Sequence, residues 1–326
     1  MTDWLRCIEG LGDAIPQPAS GDASFRRYFR VRSAQGSFIV MDAPPEQEDC
    51  RPFIQIAGYL EAMQLNAPRI LEVNLKDGFL LLTDLGATQY LERLRSDDNS
   101  STSLYADALR ALHIMQRRGA VFQSHLPAYD DQLLRFELSL FHDWLCETHI
   151  GIEFSEDDEK RWGRLADLLV SNALDQPQVF VHRDYHSRNL MVTERDNPGI
   201  LDFQDAVEGP LTYDLVSLLK DCYVQWPQDK VNDLARSFYA MSDAAIRQQV
   251  DESRFMRYFE LMGVQRHLKA AGIFARLNHR DGKPCYMADV PRTLGYVVAL
   301  GDDYDELAFL TELIGDRVLP ALQESQ

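Results

Sequence analysis

The chain has only five cysteines in 326 residues: Cys7, Cys50, Cys146, Cys222 and Cys285. Their number is odd, they are scattered, and no C-x-x-C occurs, which argues against a disulfide framework or a zinc ribbon and fits a reducing cytosol. No run approaches the roughly 18 apolar residues that a membrane span needs. The start, Met1-Thr2-Asp3-Trp4-Leu5-Arg6, carries an early acid and no apolar stretch, unlike a secretory signal. A cytoplasmic, soluble protein with no membrane partner is expected. Basic residues are also scarce, with 33 Lys and Arg against 51 Asp and Glu, a net charge of −18. Nucleic acids and anionic membrane surfaces would be repelled by such a chain.

What is present is ordinary for a globular protein: 45% hydrophobic, 10% aromatic and 26% charged residues. The length suits one large domain or two lobes. Residues 1–90 carry 12 acids and 8 bases, and the other 236 carry 39 and 25. The acid is therefore a general coat and names no partner by itself.

Residues 28–32 and 37–41 flank Ala34-Gln35-Gly36 and read as a hairpin. Helical spacing through Phe53, Ile56, Leu60 and Met63 predicts a helix over 49–66, stopped by Ala67-Pro68. Residues 69–73 and 79–83 read as two more strands. From Thr88 helices dominate, with candidates over 102–117, 131–149, 157–174, 212–224, 229–248, 252–279 and 303–315. A short β-rich island at 178–181, 190–193 and 200–203 interrupts them. The expected architecture is α+β and two-lobed, a small β-rich lobe over 1–85 and a large helical lobe over 86–326.

The island holds the densest polar cluster, Val181-His182-Arg183-Asp184-Tyr185-His186-Ser187-Arg188-Asn189-Leu190. Thirteen residues after Asn189 comes Asp202, within Gly199-Ile200-Leu201-Asp202-Phe203-Gln204-Asp205. The first segment matches H-x-D-x-x-x-x-N, and the second places an acid at a strand end. This spacing suits phosphoryl transfer. A carboxylate, Asp184, orients the acceptor hydroxyl and takes its proton. An amide and a second carboxylate, Asn189 and Asp202, hold Mg²⁺ against the phosphates of ATP. A short hairpin between them brings the metal pair together.

On these segments the chain resembles the aminoglycoside phosphotransferase and choline kinase branch of the protein-kinase-like fold. Gly209-Pro210-Leu211-Thr212-Tyr213-Asp214-Leu215 extends the resemblance, which implies that Asp214 opens a helix and buttresses the catalytic loop. More narrowly, residues 21–28, 41–45, 202–206 and 275–284 are similar to bacterial anomeric amino-sugar kinases. The similarity runs over nearly the whole chain. It implies ATP and Mg²⁺ as cofactors, nucleotide binding at the connector Thr83, Asp84 and Leu85, and an amino sugar as acceptor. In that family N-acetylmuramate and N-acetylglucosamine are phosphorylated at C1 during cell-wall recycling.

The chain also departs from ordinary kinases. Where a phosphate-binding lysine is expected after Phe38-Ile39-Val40 stands Met41, and the following helix has no acid between Asp49 and Glu61 to pair with one. The two absences agree, because a buried carboxylate without its cation is costly. The loop Ser20-Gly21-Asp22-Ala23-Ser24 has one glycine, so fewer free backbone N–H groups cradle phosphate. Ser24 with Arg26 or Arg27 is expected to supply the missing contacts.

Other readings stand beside these. His182 braces the loop, or forms with Asp184 and His186 the metal site of a hydrolase. Asp205 touches the acceptor or only shapes its loop. Arg276, His279 and Tyr286 lie in a cationic, aromatic stretch that either meets the acceptor or ends a solvated helix. Other acceptors (an aminoglycoside, choline or a hydroxy amino acid) and a non-catalytic scaffold are the competing functions.

Overall fold

The computed structural model describes residues 1–21, 25–97 and 100–324; Ser24 lies outside them. The chain begins with a single helical turn, α1 (Thr2–Leu5), followed by strands β1 (Gln17–Gly21), β2 (Arg27–Ser33) and β3 (Gly36–Asp42). Next come α2 (Cys50–Ala62), β4 (Ile70–Asn74), β5 (Phe79–Thr83), α3 (Tyr90–Ser96), α4 (Ser101–Gly119), α5 (Asp131–Leu140) and α6 (Glu156–Leu174). Short strands β6 (Gln178–Val181), β7 (Leu190–Met191), β8 (Gly199–Ile200) and β9 (Val207–Pro210) precede α7 (Tyr213–Leu219), α8 (Gln228–Met241) and α9 (Ala244–Gln249). The long α10 (Glu252–Asp281) is followed by α11 (Val290–Val298), α12 (Ala308–Glu312) and α13 (Leu319–Glu324). Two compact units result: residues 1–119 with 188–206, and residues 120–187 with 207–326.

In the first unit an antiparallel sheet has the order β1-β2-β3-β5-β4. The β2–β3 hairpin closes through the two-residue turn Ala34-Gln35, with Ser33 paired to Gly36. Leu80, Leu81 and Leu82 in β5 are all buried, as expected of a strand between two others and covered on both faces. On one face Val31, Val40 and Leu81 form a core with Leu5 and Leu11, so the N-terminal turn serves as a lid on the sheet. α2 is N-capped by Asp49, whose carboxylate accepts the Arg51 N–H. It ends at Ala62, earlier than the sequence spacing suggests, and Gln64 adopts a left-handed φ of 60°. β7 and β8 pair as a two-rung hairpin, Leu190 with Ile200 and Met191 with Gly199. Asn197 fastens its turn: its Nδ2 donates to Tyr90 Oη (2.7 Å) and Asp107 (2.8 Å).

The second unit is organised by α10, buried on nearly all sides over 255–277 and packed on α5, α6 and α7. Its ends are capped conventionally: Asp251 accepts the Arg254 N–H, and Gly282 takes the left-handed φ of 63°. Gly272 is required by contact, because a Cβ there would lie 2.2 Å from the Leu140 carbonyl carbon. Beyond Leu140, α5 continues as a π-helical stretch over Phe141–Ile150, so the single helix expected over 131–149 changes pitch midway. The segment 229–248 divides into α8 and α9 at Ser242-Asp243, and 212–224 stops at Leu219. β9 pairs antiparallel with β6 across four residues, and this ladder presents the loop after Val181.

Candidate active site

In the second unit, β6 delivers Val181 and the chain turns through His182 and Arg183. Asp214, in the first turn of α7, accepts the His182 N–H at 2.6 Å and the Arg183 N–H at 2.9 Å. This is the buttress that the family resemblance implies. Burial pushes the Asp214 carboxyl up to about 7, even though those two bonds pull it down. Arg183 is held at φ 78°, a strained value for a non-glycine residue. Its Nη2 donates to Glu137 on α5 at 2.5 Å. Glu137, 2% exposed, also takes Lys269 Nζ at 3.0 Å, Gln265 Nε2 at 3.1 Å and the Tyr129 hydroxyl. Sequence reasoning missed this network. Its only trace was a cluster of polar residues, Gln265, Arg266, His267 and Lys269, at helical positions that turn out to be buried.

Asp184 follows Arg183 and is partly exposed. Burial favours its protonated form, but Lys269, His186, Arg266 and Arg183 outweigh this and hold its carboxyl below the usual range. His182 Nδ1 accepts the Asp184 N–H at 3.2 Å, so the imidazole braces the loop. The zinc-type reading of His182, Asp184 and His186 finds no support: among the described residues, the three side chains close enough to share an ion are His142, Asp143 and Glu147. The loop is tied down again at Ser187, whose N–H and Oγ both donate to Asp221 Oδ2 (3.0 and 2.5 Å).

In the first unit the β7–β8 hairpin does what the spacing predicts. Asn189 O accepts the Leu201 N–H at 2.9 Å, and Asn189 Nδ2 donates to Asp202 Oδ2 at 3.2 Å. Asp202 sits at φ 61°, a second strained residue. Its Oδ1 receives Gln204 Nε2 at 3.0 Å and Arg26 Nη2 at 3.5 Å. Arg26 is 9% exposed, whereas Arg27 is largely exposed and pairs with Asp42. Met41 is fully buried on β3, opposite Tyr28 and Leu80. Of the two arginines, Arg26 is thus the one beside the Asn189–Asp202 pair. The pair offers a carboxylate and an amide, hard oxygen donors that fit Mg²⁺.

The remaining candidates are more dispersed. Asp84 is committed through its carboxylate to Arg30 Nε (2.6 Å), Ser37 Oγ (2.5 Å) and the Gly86 N–H (3.0 Å), so its side chain shapes the connector. Thr83 Oγ1 accepts the Arg69 N–H, and Leu85 Cδ1 packs where a Cβ on Gly199 would fall. Asp205 is exposed and receives Gln204 Nε2 at 3.1 Å. At the end of α10, Arg276 keeps a buried Nε with no acceptor, and His279 Nε2 meets His149 Nδ1 at 2.9 Å. Tyr286, past the Gly282 cap, stacks on Phe274 with centroids 5.7 Å apart.

These features define a phosphotransferase of the two-lobed, protein-kinase-like α+β class. A solved ethanolamine kinase from Plasmodium vivax superposes with a TM-score of 0.61 at 13% identity, over 87% of this chain and 82% of that one. Residues 16–252 match the model of the phosphotransferase enzyme family, and the chain belongs to that family. It is 49% identical over 314 residues to the N-acetylmuramate/N-acetylglucosamine kinase of Pseudomonas aeruginosa, covering 95% of this chain and 91% of that protein. The protein of the same description from Neisseria meningitidis is 39% identical over 329 residues, covering 98% and 96%.

Proposed function

We propose that this chain transfers the γ-phosphoryl group of ATP to the anomeric C1 hydroxyl of an N-acetylated amino sugar, N-acetylmuramate or N-acetylglucosamine, in peptidoglycan recycling. The acceptor class is supported by the identity to the Pseudomonas and Neisseria proteins over almost the full chain. What supports the chemistry is the set of cations around Asp184, Lys269, His186, Arg266 and Arg183, which hold its carboxyl below the usual range against its burial. An ionised carboxylate accepts the hydroxyl proton as the O1–P bond forms and the bond to the β,γ-bridging oxygen breaks, leaving ADP. An anomeric hydroxyl is more acidic than an ordinary alcohol, so the demand on that base is modest.

Asn189 and Asp202 are the residues that would hold Mg²⁺, which when bound neutralises charge on the nucleotide phosphates. Arg26 contributes a fixed positive charge beside them, in place of the lysine replaced by Met41, and of the two neighbouring arginines it, rather than Arg27, is assigned with Ser24 to the phosphates. Backbone at Thr83, Asp84 and Leu85 receives the nucleotide base. Asp205, Arg276, His279 and Tyr286 are assigned to the acceptor side. The five free thiols fit a cytoplasmic setting, and among the described residues no helix is long and apolar enough to cross a membrane.

The test is nucleotide consumption across N-acetylated amino sugars, aminoglycosides, choline and hydroxy amino acids. Turnover confined to the amino sugars is expected. Turnover on another class alone reassigns the acceptor, and no turnover with any of them points to a scaffold.

A further inference from the structure

Arg183 stands one residue before the proposed base, and both its backbone and its side chain are held. Its N–H is on Asp214 at 2.9 Å, at a φ of 78°. Its side chain turns back into the fold, where Nη2 meets Glu137 Oε1 at 2.5 Å and Cζ lies 5.8 Å from the centroid of the buried Tyr129 ring. Among the described residues, Glu137 takes the one hydrogen bond that the Arg183 side chain makes, and Arg183 Nε is buried with no acceptor. This guanidinium is committed inside the fold rather than held out toward a phosphate.

The two anchors are joined to each other. Glu137 Oε1 also takes Lys269 Nζ at 3.0 Å, and the same Nζ donates to Tyr213 Oη at 2.8 Å. Tyr213 directly precedes Asp214 in the first turn of α7. Arg183, Glu137, Lys269, Tyr213 and Asp214 thus close a ring that starts and ends on one residue of the loop. Glu137 Oε2 is fixed in turn by Gln265 Nε2 at 3.1 Å and by the Tyr129 hydroxyl. Glu137, Tyr213 and Asp214 are each 2% exposed or less. For stability alone such a network is a poor device, because the desolvation of buried charges largely offsets their attraction. What it supplies is direction. A left-handed φ on an arginine persists only where the surroundings over-determine it, and its relaxation would swing the peptide that carries Asp184.

We propose that Glu137 is a positioning residue for the phosphoryl transfer: through the Arg183 side chain it locks the left-handed turn that aims the Asp184 carboxylate at the acceptor hydroxyl. Asp214 holds the backbone of that turn and Glu137 holds its side chain, from α7 and α5 respectively. Neither touches the substrate; both act through Arg183. This rests on the reading of Asp184 as the base given above.

The experiment measures kcat and KM for N-acetylmuramate and ATP in the native enzyme, Glu137→Gln, Arg183→Met and the double variant, at a temperature where circular dichroism shows each to be folded. Glu137→Gln keeps the volume and removes the charge that Arg183 pairs with. Its kcat is expected to fall about 10- to 100-fold, while both KM values stay within about threefold. Because Glu137 acts through Arg183, adding Glu137→Gln to Arg183→Met should lower kcat by less than about threefold further. Leu310→Ala, a core truncation on α12 outside this network, is the control for lost stability, and its kcat should remain native. An unchanged kcat in Glu137→Gln would overturn the proposal, as would single effects that multiply in the double variant or an equal loss in Leu310→Ala. Should Glu137→Gln fail to fold, Arg183→Met decides, since it leaves Glu137 on Lys269: its kcat must fall with KM unchanged, and a native kcat contradicts the proposal. Full activity in Asp184→Asn would refute the reading of the base itself, a result distinct from native-like Glu137→Gln beside inactive Asp184→Asn.

Discussion

Asp214 accepts the backbone N–H of Arg183 at 2.9 Å while Arg183 sits at φ 78°. The carboxylate thus holds in place a backbone turn that an arginine would not choose, one residue before the proposed base. With the His182 N–H at 2.6 Å on its other oxygen, both acceptors of Asp214 are in use. Replacement by asparagine leaves one acceptor and turns an NH₂ toward the second N–H. For Asp214→Asn, kcat is expected to fall about 10- to 100-fold with little change in KM for ATP. A pH effect accompanies it. The folded-state carboxyl titrates near 7 and the unfolded one near its usual value of about 4, so the folded chain binds more protons between those limits. Its contribution to stability therefore falls as pH rises from about 4 to 7. Melting temperatures measured across that window will show this slope in the native protein and its loss in Asp214→Asn.

Arg26 and Arg27 are neighbours in sequence with different surroundings. Arg26 is buried next to Asp202, while Arg27 is exposed and paired to Asp42. Arg26→Ala is expected to lower kcat/KM for ATP about 10- to 100-fold, and Arg27→Ala to change it by less than about threefold. Initial rates at varied ATP and fixed sugar separate the two; equal effects would contradict the assignment.

Glu137 compensates Arg183 and Lys269 in a buried site. Removing a buried partner leaves a charge uncovered, so Glu137→Ala is expected to destabilise by about 3–5 kcal/mol. Lys269→Met removes one of the cations, so the double variant should lose less than the sum of the single ones. Urea denaturation of the four proteins measures the coupling.

The backbone contact at Gly272 gives a prediction on folding alone. An added methyl would overlap the Leu140 carbonyl, so Gly272→Ala should cost at least about 2–3 kcal/mol. At Gly263 the nearest atom to such a methyl is Lys220 Cδ at 3.4 Å, an ordinary contact distance, and Gly263→Ala should stay within about 1 kcal/mol. Thermal melts of both variants provide the comparison.

Much of the candidate site was legible because its residues are close in sequence. His182 to Asn189 and Asp202 fall within two dozen residues, and the β7–β8 hairpin joins Asn189 to Asp202 as the spacing requires. The strands of the hairpin at Ala34-Gln35 were equally plain, because their alternation and turn are local. Glu137, Lys269, Arg266 and Asp221 were not legible, since Glu137 and Asp221 bond the loop, Lys269 bonds Glu137, and Arg266 lies on α10, all through tertiary packing across tens of residues. In a helix such as α10, charged residues normally mark a solvated face, and only the fold reveals that Arg266 and Lys269 point inward. The short strands β1 and β9 were missed because residues such as Pro18, Gly21 and Gly209-Pro210 read as breakers, although at strand ends they are tolerated. The change of pitch after Leu140 leaves no periodicity signal at all.

The most direct test follows the product of the native enzyme acting on N-acetylmuramate and ATP by phosphorus NMR, alongside Asp184→Asn. The account predicts a sugar phosphate whose phosphorus couples to the anomeric proton, and a rate at least about 10³-fold lower in Asp184→Asn. A phosphate ester at any other position, or full activity in Asp184→Asn, would contradict it.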